Sequence, residues 1–218
     1  MTTEHSPPPA SSRKMRKVAL ASFMGTVIEF YDFGIYGTAA ALVFAKAFFP
    51  ALGGYAGTIV AFATLGIAFV ARPLGAILFG HFGDRLGRKR TLIATMSLMG
   101  VATVLIGLLP TAATIGVLAP ILLVLLRVGQ GLAAGGEWAG AALFTTEHAP
   151  KASRGFWGMF TNLGGAVANI LALLTFLVTG LLMTDATFVA WGWRIPFLIS
   201  IVLIVESSYI RTSDRDYG

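Results

Sequence analysis

Two acidic residues stand three positions apart inside a long apolar stretch, residues 18–45. The pair is Glu29 and Asp32, within the segment EFYDF, and a three-residue spacing puts both carboxylates on one face of a helix. Two neighbouring carboxylates in an apolar environment cannot both ionise cheaply, so one is expected to carry a proton. Glu29 and Asp32 are therefore predicted proton carriers. The alternative is that one or both only neutralise a buried arginine as a fixed structural pair.

A second polar group lies in the apolar stretch 117–145. Gln130 and Glu137 are seven residues apart and share a helical face, with Arg127 beside them. Arginine presents a planar fork that binds carboxylates. Arg127, and likewise Arg72 in an earlier apolar stretch, is predicted either to bind a substrate anion or to pair with an acid of residues 18–45. Gln130 and Glu137 are predicted to line a cavity.

Asparagines and glycines complete the polar and small-residue pattern. Asn162 and Asn169 are seven residues apart on one helical face. They suit either hydrogen bonds between helices or the wall of a cavity, and the spacing does not choose between these. Gly131 and Gly135 provide a flat surface for close helix packing. A phosphate-binding role is disfavoured, because no strand precedes these glycines.

The elements that must hold these residues are membrane helices. Hydrophobic residues make up 56% of the 218-residue chain and charged residues 12%, and the mean hydropathy is +0.79. Soluble domains contain about 25% charged residues. The chain has no cysteine, which excludes disulfides and thiolate metal sites. No Ser/His/Asp set, metal cluster or nucleotide-binding loop is present, so neither an enzyme nor a bound metal or cofactor is expected.

Apolar runs of about 20 residues predict six membrane-spanning helices. The predicted spans are 18–45, 55–80, 91–109, 117–145, 156–183 and 193–210. The fold class is therefore an all-α membrane protein with a six-helix bundle over 18–210. Residues 1–17 are predicted to be a disordered cytoplasmic tail, and residues 211–218 a short cytoplasmic tail.

Lysine and arginine alternate strongly between successive loops. With the N-terminus inside, only Lys46 and Arg194 face outward, and Arg72 and Arg127 lie within spans. The other twelve cations fall on the cytoplasmic side, as the positive-inside rule requires: Arg13, Lys14, Arg16, Lys17, Arg85, Arg88, Lys89, Arg90, Lys151, Arg154, Arg211 and Arg215. Both termini are thus predicted to be cytoplasmic. Because topology explains most of the basic residues, no nucleic-acid partner is expected.

The segment 80–90, GHFGDRLGRKR, concentrates charge between the second and third predicted spans. Its glycines allow a tight turn, and its four cations favour the cytoplasm. Asp84 is predicted to accept hydrogen bonds from the first amides of the following helix. These features predict a hairpin of two membrane helices.

Several separated segments resemble one family. The segment 80–90, Arg127-x-x-Gln130-Gly131, and Glu147-x-x-Pro150-x-x-x-Arg154 resemble signatures of the major facilitator superfamily. The segments 29–36 (EFYDFGIY), 71–75 (ARPLG), 135–138 (GGEW) and 191–197 (WGWRIPF) resemble the metabolite:proton symporters within it. That group includes bacterial shikimate, alpha-ketoglutarate, citrate and proline/betaine transporters.

The resemblance implies two six-helix halves that rock about a central site and transport a substrate together with a proton. The matching segments run from about residue 18 to 204 and correspond to the N-terminal half only. The resemblance also implies a cytoplasmic gate whose charges pair when the inner side closes: Asp84, Arg85, Arg88, Glu147 and Arg154.

The predicted function is therefore proton-coupled uptake of a small organic acid or zwitterionic osmolyte across a bacterial inner membrane. The proton is the coupling ion, and the partners are the lipid bilayer and the substrate. A complete central site needs a second half, so we expect either a truncated or frameshifted gene, or pairing with itself or with another half-transporter. The alternatives are a non-transporting membrane remnant or assembly partner and, third, an efflux carrier of the same fold.

Overall fold

The computed structural model describes residues 12–148 and 154–202, and this part of the chain is helical, with short turns and without strands. A π-helical turn, Ala40–Phe44, joins the first two helices, and 3-10 turns precede the third and the last. The helices are α1 (Ser12–Ala39), α2 (Ala45–Phe48), α3 (Gly54–Leu86), α4 (Arg88–Leu108), α5 (Ala112–Ile115), α6 (Leu118–His148), α7 (Arg154–Leu181), α8 (Asp185–Ala190) and α9 (residues 195–202). The all-α prediction is confirmed.

Six apolar segments in these helices coincide with the six predicted spans. Four are long and apolar enough to cross a membrane: Phe23–Phe48, Gly54–Arg85, Leu118–Gly136 and Asn162–Leu181. The other two are the shorter apolar helices Ile93–Leu108 and Gly192–Val202. Ten of the twelve ends lie within six residues of the predicted boundaries. The two segments that stop earlier, at Gly136 and Val202, reach the edge of the side chains that the structure describes.

The predicted N-terminal tail is shorter than expected. Helix α1 begins at Ser12, so residues 12–17 are helical. Lysine and arginine are good helix formers, which explains why the helix extends past the apolar run into this basic segment. Residues 1–11 of the predicted tail, and residues 203–218 with the predicted C-terminal tail, lie outside the described part of the chain.

Close packing of α3 against α6 brings together the helices that carry Arg72 and Arg127. Helix α3 packs most extensively on α6, α1 on α7, and α4 on α6. A Cβ atom added at Gly131 would meet the backbone of Ala68, and one added at Gly135 would meet the carbonyl oxygen of Arg72. The predicted packing role of these glycines is confirmed, because no larger residue fits between the two backbones.

The turn between α3 and α4 is made by Gly87. Its φ of +93° lies in the left-handed region, which favours glycine. The N-cap residue of α4 is Gly87, which has no side chain to cap the helix, and hydrogen bonds from the first amides of α4 to Asp84 stay a prediction. Because α3 continues to Leu86, Asp84 lies inside its last turn rather than at the N-cap position.

Aromatic side chains hold the opposite end of the bundle. Phe44 and Phe48 contact Trp193 edge to face, with ring centroids 5.6 and 5.9 Å apart, and Trp193 contacts Phe197 at 5.9 Å. All four are buried. This cluster ties the first span to α9 and fixes the orientation of α1, whose middle carries the polar residues.

Candidate functional site

A partly buried ion pair joins the first span to α3. The Nη2 atom of Arg72 donates to Oε1 of Glu29 at 2.9 Å. The Arg72 guanidinium also lies over two rings, 4.5 Å from the centre of Phe33 and 5.0 Å from that of Phe69. Within the described part of the chain this is the only salt bridge. Glu29 thus adopts the fixed-pair arrangement that the sequence left open, and a proton-carrying role for it stays a prediction.

Asp32 lies in a separate chain of hydrogen bonds, which crosses three helices. Thr103 of α4 donates from Oγ1 to Oδ2 of Asp32 at 2.8 Å. Gln130 of α6 donates from Nε2 to Oγ1 of Thr103 at 2.6 Å and accepts at Oε1 from Nη1 of Arg127 at 2.8 Å. Arg127 therefore connects to Asp32 through Gln130 and Thr103. We call these four residues the relay.

The relay is sealed from the surface. Asp32 is 1% exposed and Arg127 0%. The Arg127 guanidinium is covered by the rings of Tyr36 and Phe33, at 4.0 and 4.5 Å. Oδ1 of Asp32 and Nε and Nη2 of Arg127 have no hydrogen-bond partner among the described residues. Buried unpaired polar atoms are rare and costly, so two such residues in one cluster mark a candidate functional site.

A cleft of about 490 Å³ opens between α1, α3 and α7. Arg72 and Asn169 are its principal polar side chains, and Asn169 donates from Nδ2 to the carbonyl oxygen of Gly165, one turn earlier in α7. The lining residues are Phe30, Phe33, Gly34, Gly37, Thr38, Leu65, Phe69, Arg72 and Asn169. The cleft is thus aromatic with one charged edge.

The structure separates the residues that were predicted to line one cavity. Arg72 and Asn169 line the cleft, whereas Arg127 and Gln130 are buried in the relay and do not line it. Asn162 is exposed but is not among the residues that line this cleft. The side chain of Glu137 lies outside the described part of the chain.

The structure describes the side chains of only two of the five residues predicted to form the cytoplasmic gate. Asp84 and Arg85 are exposed in the last turn of α3. The side chains of Arg88, Glu147 and Arg154 lie outside the described part of the chain. The gate therefore stays a prediction.

Sequence reasoning missed Thr103 and the aromatic covers of the arginines. Thr103 is one hydroxyl in an apolar helix, and its spacing gives no signal because its partners belong to α1 and α6. Phe33 and Tyr36 lie one turn or less from Asp32, on the face where a cation–π contact with an arginine was foreseeable. Only the packing of the helices shows which arginine each ring covers.

An all-helical bundle with helices of membrane-spanning length, buried charges and an open aromatic cleft with one charged edge is typical of a membrane transporter, and the comparisons with known proteins identify the family. Residues 17–211 match the family described as "Sugar (and other) transporter". The chain belongs to this family of the major facilitator superfamily. The family consists of transporters rather than enzymes.

Curated relatives share much more of the sequence than the solved structures do. The chain is 53% identical to the inner membrane metabolite transport protein YhjE of Escherichia coli over 94% of its length, and 51% identical to the Escherichia coli shikimate transporter over 92%. It is 39% identical to the proline/betaine transporter of Salmonella typhimurium over 91%. It covers 46%, 46% and 39% of these relatives, and so spans less than half of their length.

Among solved structures, the xylose transporter XylE from E. coli in a partially occluded inward-open conformation has a TM-score of 0.75 at 17% identity. The match covers 93% of this chain and 48% of that one. XylE is also described as a proton:xylose symporter. At this identity the likeness shows the fold alone. The predicted N-terminal half of a major facilitator fold is confirmed.

Proposed function

We propose that this chain forms the N-terminal half of a proton-coupled importer of a small organic acid or zwitterionic osmolyte in a bacterial inner membrane. Asp32 carries the coupled proton. Arg72, paired with Glu29, forms the charged edge of the substrate cleft. The fold, the named relatives and the proton:xylose symporter of the same fold support this proposal.

The observation that carries the proposal is the environment of Asp32. Its carboxyl group is buried in the middle of the first span, accepts one hydrogen bond from Thr103 and forms no salt bridge with any described residue. Glu29 on the same helix has Arg72 as a direct partner. A buried acid without a cation held against it can take up and release a proton, whereas an acid in an ion pair is held ionised. Asp32 is therefore the better of the two predicted proton carriers.

The cleft supports a small carboxylate-bearing substrate. Its volume of about 490 Å³ lies in the range of small-molecule sites, roughly 300–1,000 Å³. Arg72 offers guanidinium donors at one edge, and its Nε has no partner among the described residues. Phe30, Phe33 and Phe69 supply apolar faces for a hydrocarbon ring or methyl groups. A substrate with a carboxylate at one end and an apolar body fits this arrangement.

The loop charges support a cytoplasmic N-terminus, and cysteine labelling tests on which side of the membrane each loop lies. Since the sequence contains no cysteine, a single introduced cysteine reports its own side of the membrane. In intact spheroplasts, Ala186→Cys, in α8, should react with a membrane-impermeant maleimide, and Arg90→Cys should react only after lysis. Both positions are exposed in the structure. The opposite pattern contradicts a cytoplasmic N-terminus.

The function is tested by supplying a second half. The chain is fused to the C-terminal half of the Escherichia coli shikimate transporter and reconstituted into liposomes with labelled shikimate, alpha-ketoglutarate, citrate or betaine. An inward proton gradient should drive saturable, uncoupler-sensitive accumulation of one of them. Asp32→Asn should abolish accumulation and retain counterflow exchange, because exchange needs no net proton movement.

Two controls separate the alternatives. The 218-residue polypeptide by itself should accumulate none of these compounds, because the buried charges of its cavity wall would lack the facing helices of a second half. Glu29→Gln should retain part of the gradient-driven uptake. Full accumulation by Asp32→Asn would remove Asp32 from coupling. Accumulation that occurs only when protons or substrate move outward in exchange would favour an efflux carrier.

A further inference from the structure

The hydroxyl group of Thr103 is the contact between Asp32 and the rest of the relay. Its Oγ1 lies 2.8 Å from Oδ2 of Asp32 on α1, 2.6 Å from Nε2 of Gln130 on α6 and 2.9 Å from the carbonyl oxygen of Met99 on its own helix. The side chain is fully buried. Three partners therefore surround one hydroxyl group that bulk water does not reach.

A threonine hydroxyl has one hydrogen to donate and two lone pairs that accept. The amide of Gln130 donates to one lone pair. When Asp32 is ionised, the hydroxyl donates to its carboxylate, which is a stronger acceptor than the carbonyl oxygen of Met99. When Oδ2 of Asp32 carries a proton, the bond reverses: the acid donates to the second lone pair of Thr103, which turns its own hydrogen to Met99. The same atomic positions satisfy both states.

We infer that Thr103 is a positioning residue for proton transfer at Asp32, because its rotating hydroxyl holds this carboxyl group in one place whether or not it carries the proton. The inference rests on the proposed role of Asp32. The O–H bond on Oδ2 of Asp32 forms when a proton arrives from one aqueous side and breaks when it leaves to the other. The O–H bond of Thr103 never breaks, so the threonine carries no proton itself.

Other ionisable groups near Asp32 are few and stay unchanged when Thr103 is altered. The sequence between residues 91 and 108 of α4 contains no ionisable side chain, and neither do residues 156–181 of α7 or 195–202 of α9. Among the side chains that the structure describes, the groups that α1, α3 and α6 contribute near Asp32 are Glu29, Tyr31, Tyr36, Arg72 and Arg127. A change in the titration of Asp32 in a Thr103 variant therefore reports the loss of the hydroxyl group.

The test compares Thr103→Val, which keeps the shape but lacks the hydroxyl, with Thr103→Ser, which keeps the hydroxyl. The purified 218-residue chain is placed in lipid nanodiscs, and infrared spectroscopy follows the carbonyl stretch of the protonated carboxyl group against pH. Asp32→Asn identifies the band. Thr103→Val should move the midpoint to higher pH by about one unit, because a charge-assisted hydrogen bond stabilises the ionised form more than a neutral one stabilises the acid. Thr103→Ser should stay close to the unaltered chain.

Equal midpoints for the unaltered chain and Thr103→Val would overturn the inference, and so would the same shift in Thr103→Ser and Thr103→Val. If Thr103→Val does not fold, Thr103→Ala is read in the same way. The infrared midpoint needs no transport, so it separates this inference from the proposed function. Full gradient-driven uptake by fused Asp32→Asn would overturn both the proposed function and the coupling role of Thr103, whereas equal midpoints would overturn only the latter.

Discussion

Two arginines within the membrane spans have different surroundings. Arg127 is completely buried in the relay, hydrogen-bonded to a neutral amide and covered by two rings. The side chain of Arg72 is 19% exposed, lines the cleft and holds Glu29 in an ion pair. The phenyl ring of Phe33 lies 4.5 Å from each of them. One aromatic ring thus separates a sealed cation from an open one.

The difference assigns the two arginines to different steps. A sealed cation has a fixed field, which acts on the buried acid beside it and on the stability of the bundle. A partly exposed cation that is already paired with a carboxylate can exchange that carboxylate for one of a ligand at lower cost. We therefore expect changes at Arg127 to alter folding and coupling, and changes at Arg72 to alter substrate affinity.

The largest expected effect is the loss of the sealed cation. Arg127→Met should destabilise the chain by about 3 kcal/mol, because the buried Oε1 atom of Gln130 would lose its charged hydrogen-bond donor. Arg72→Met should cost less, since water reaches part of that site. Thermal unfolding of both variants in detergent, followed by circular dichroism, measures the difference. Equal losses would contradict the distinction between the two arginines.

The next effect tests whether the α3–α6 packing positions Arg72. Gly135→Val should destabilise the chain by about 1–3 kcal/mol, because its side chain would press on the backbone of Arg72. The matched control is Gly129→Ala, also on α6, where an added Cβ meets nothing within 4 Å. It should stabilise the helix by up to about 1 kcal/mol. Unfolding temperatures that fall equally in both variants would mean that close packing is not the cause.

Replacing either arginine with lysine tests whether that arginine acts in substrate binding or in proton coupling. In the fused transporter, Arg72→Lys should raise KM by about tenfold with little change in kcat, because lysine keeps the charge but lacks the planar fork. Arg127→Lys should lower kcat instead, because its ammonium group no longer fits the amide of Gln130. Initial uptake rates against substrate concentration give both constants. A KM effect confined to Arg127→Lys would reverse the proposed roles.

The smallest effect concerns the wall of the cleft. Asn169→Ala should raise KM by about two- to threefold and leave the unfolding temperature unchanged, because this exposed side chain hydrogen-bonds to the carbonyl oxygen of Gly165 on its own helix. The control is Asn162→Ala, which should leave KM unchanged. Asn162 lies seven residues earlier on the same helical face and outside the cleft. Equal KM values for both variants would remove Asn169 from the substrate site.

Much of this arrangement was predictable from residue type and spacing. Apolar runs of membrane-spanning length located the six spans, and the three-residue spacing placed Glu29 and Asp32 on one helix. The glycines of α6 indicated close packing, which the contacts of Gly131 and Gly135 with α3 confirm. The structure differed at residues 12–17, which are helical rather than part of a tail, because the end of a helix depends on local propensity and capping as well as on the apolar run.

What the sequence determined by itself is the membrane fold and the set of charges that the membrane must accommodate, because hydrophobic length and the cost of burying a charge act on each span separately. What only the tertiary structure decided is which partners those charges meet. Glu29 pairs with Arg72, and Asp32 reaches Arg127 through Thr103 and Gln130. The contacts between helices join residues from 27 to 71 positions apart. The rotation of each packed helix, and not the sequence period of one helix, decides which of these residues meet.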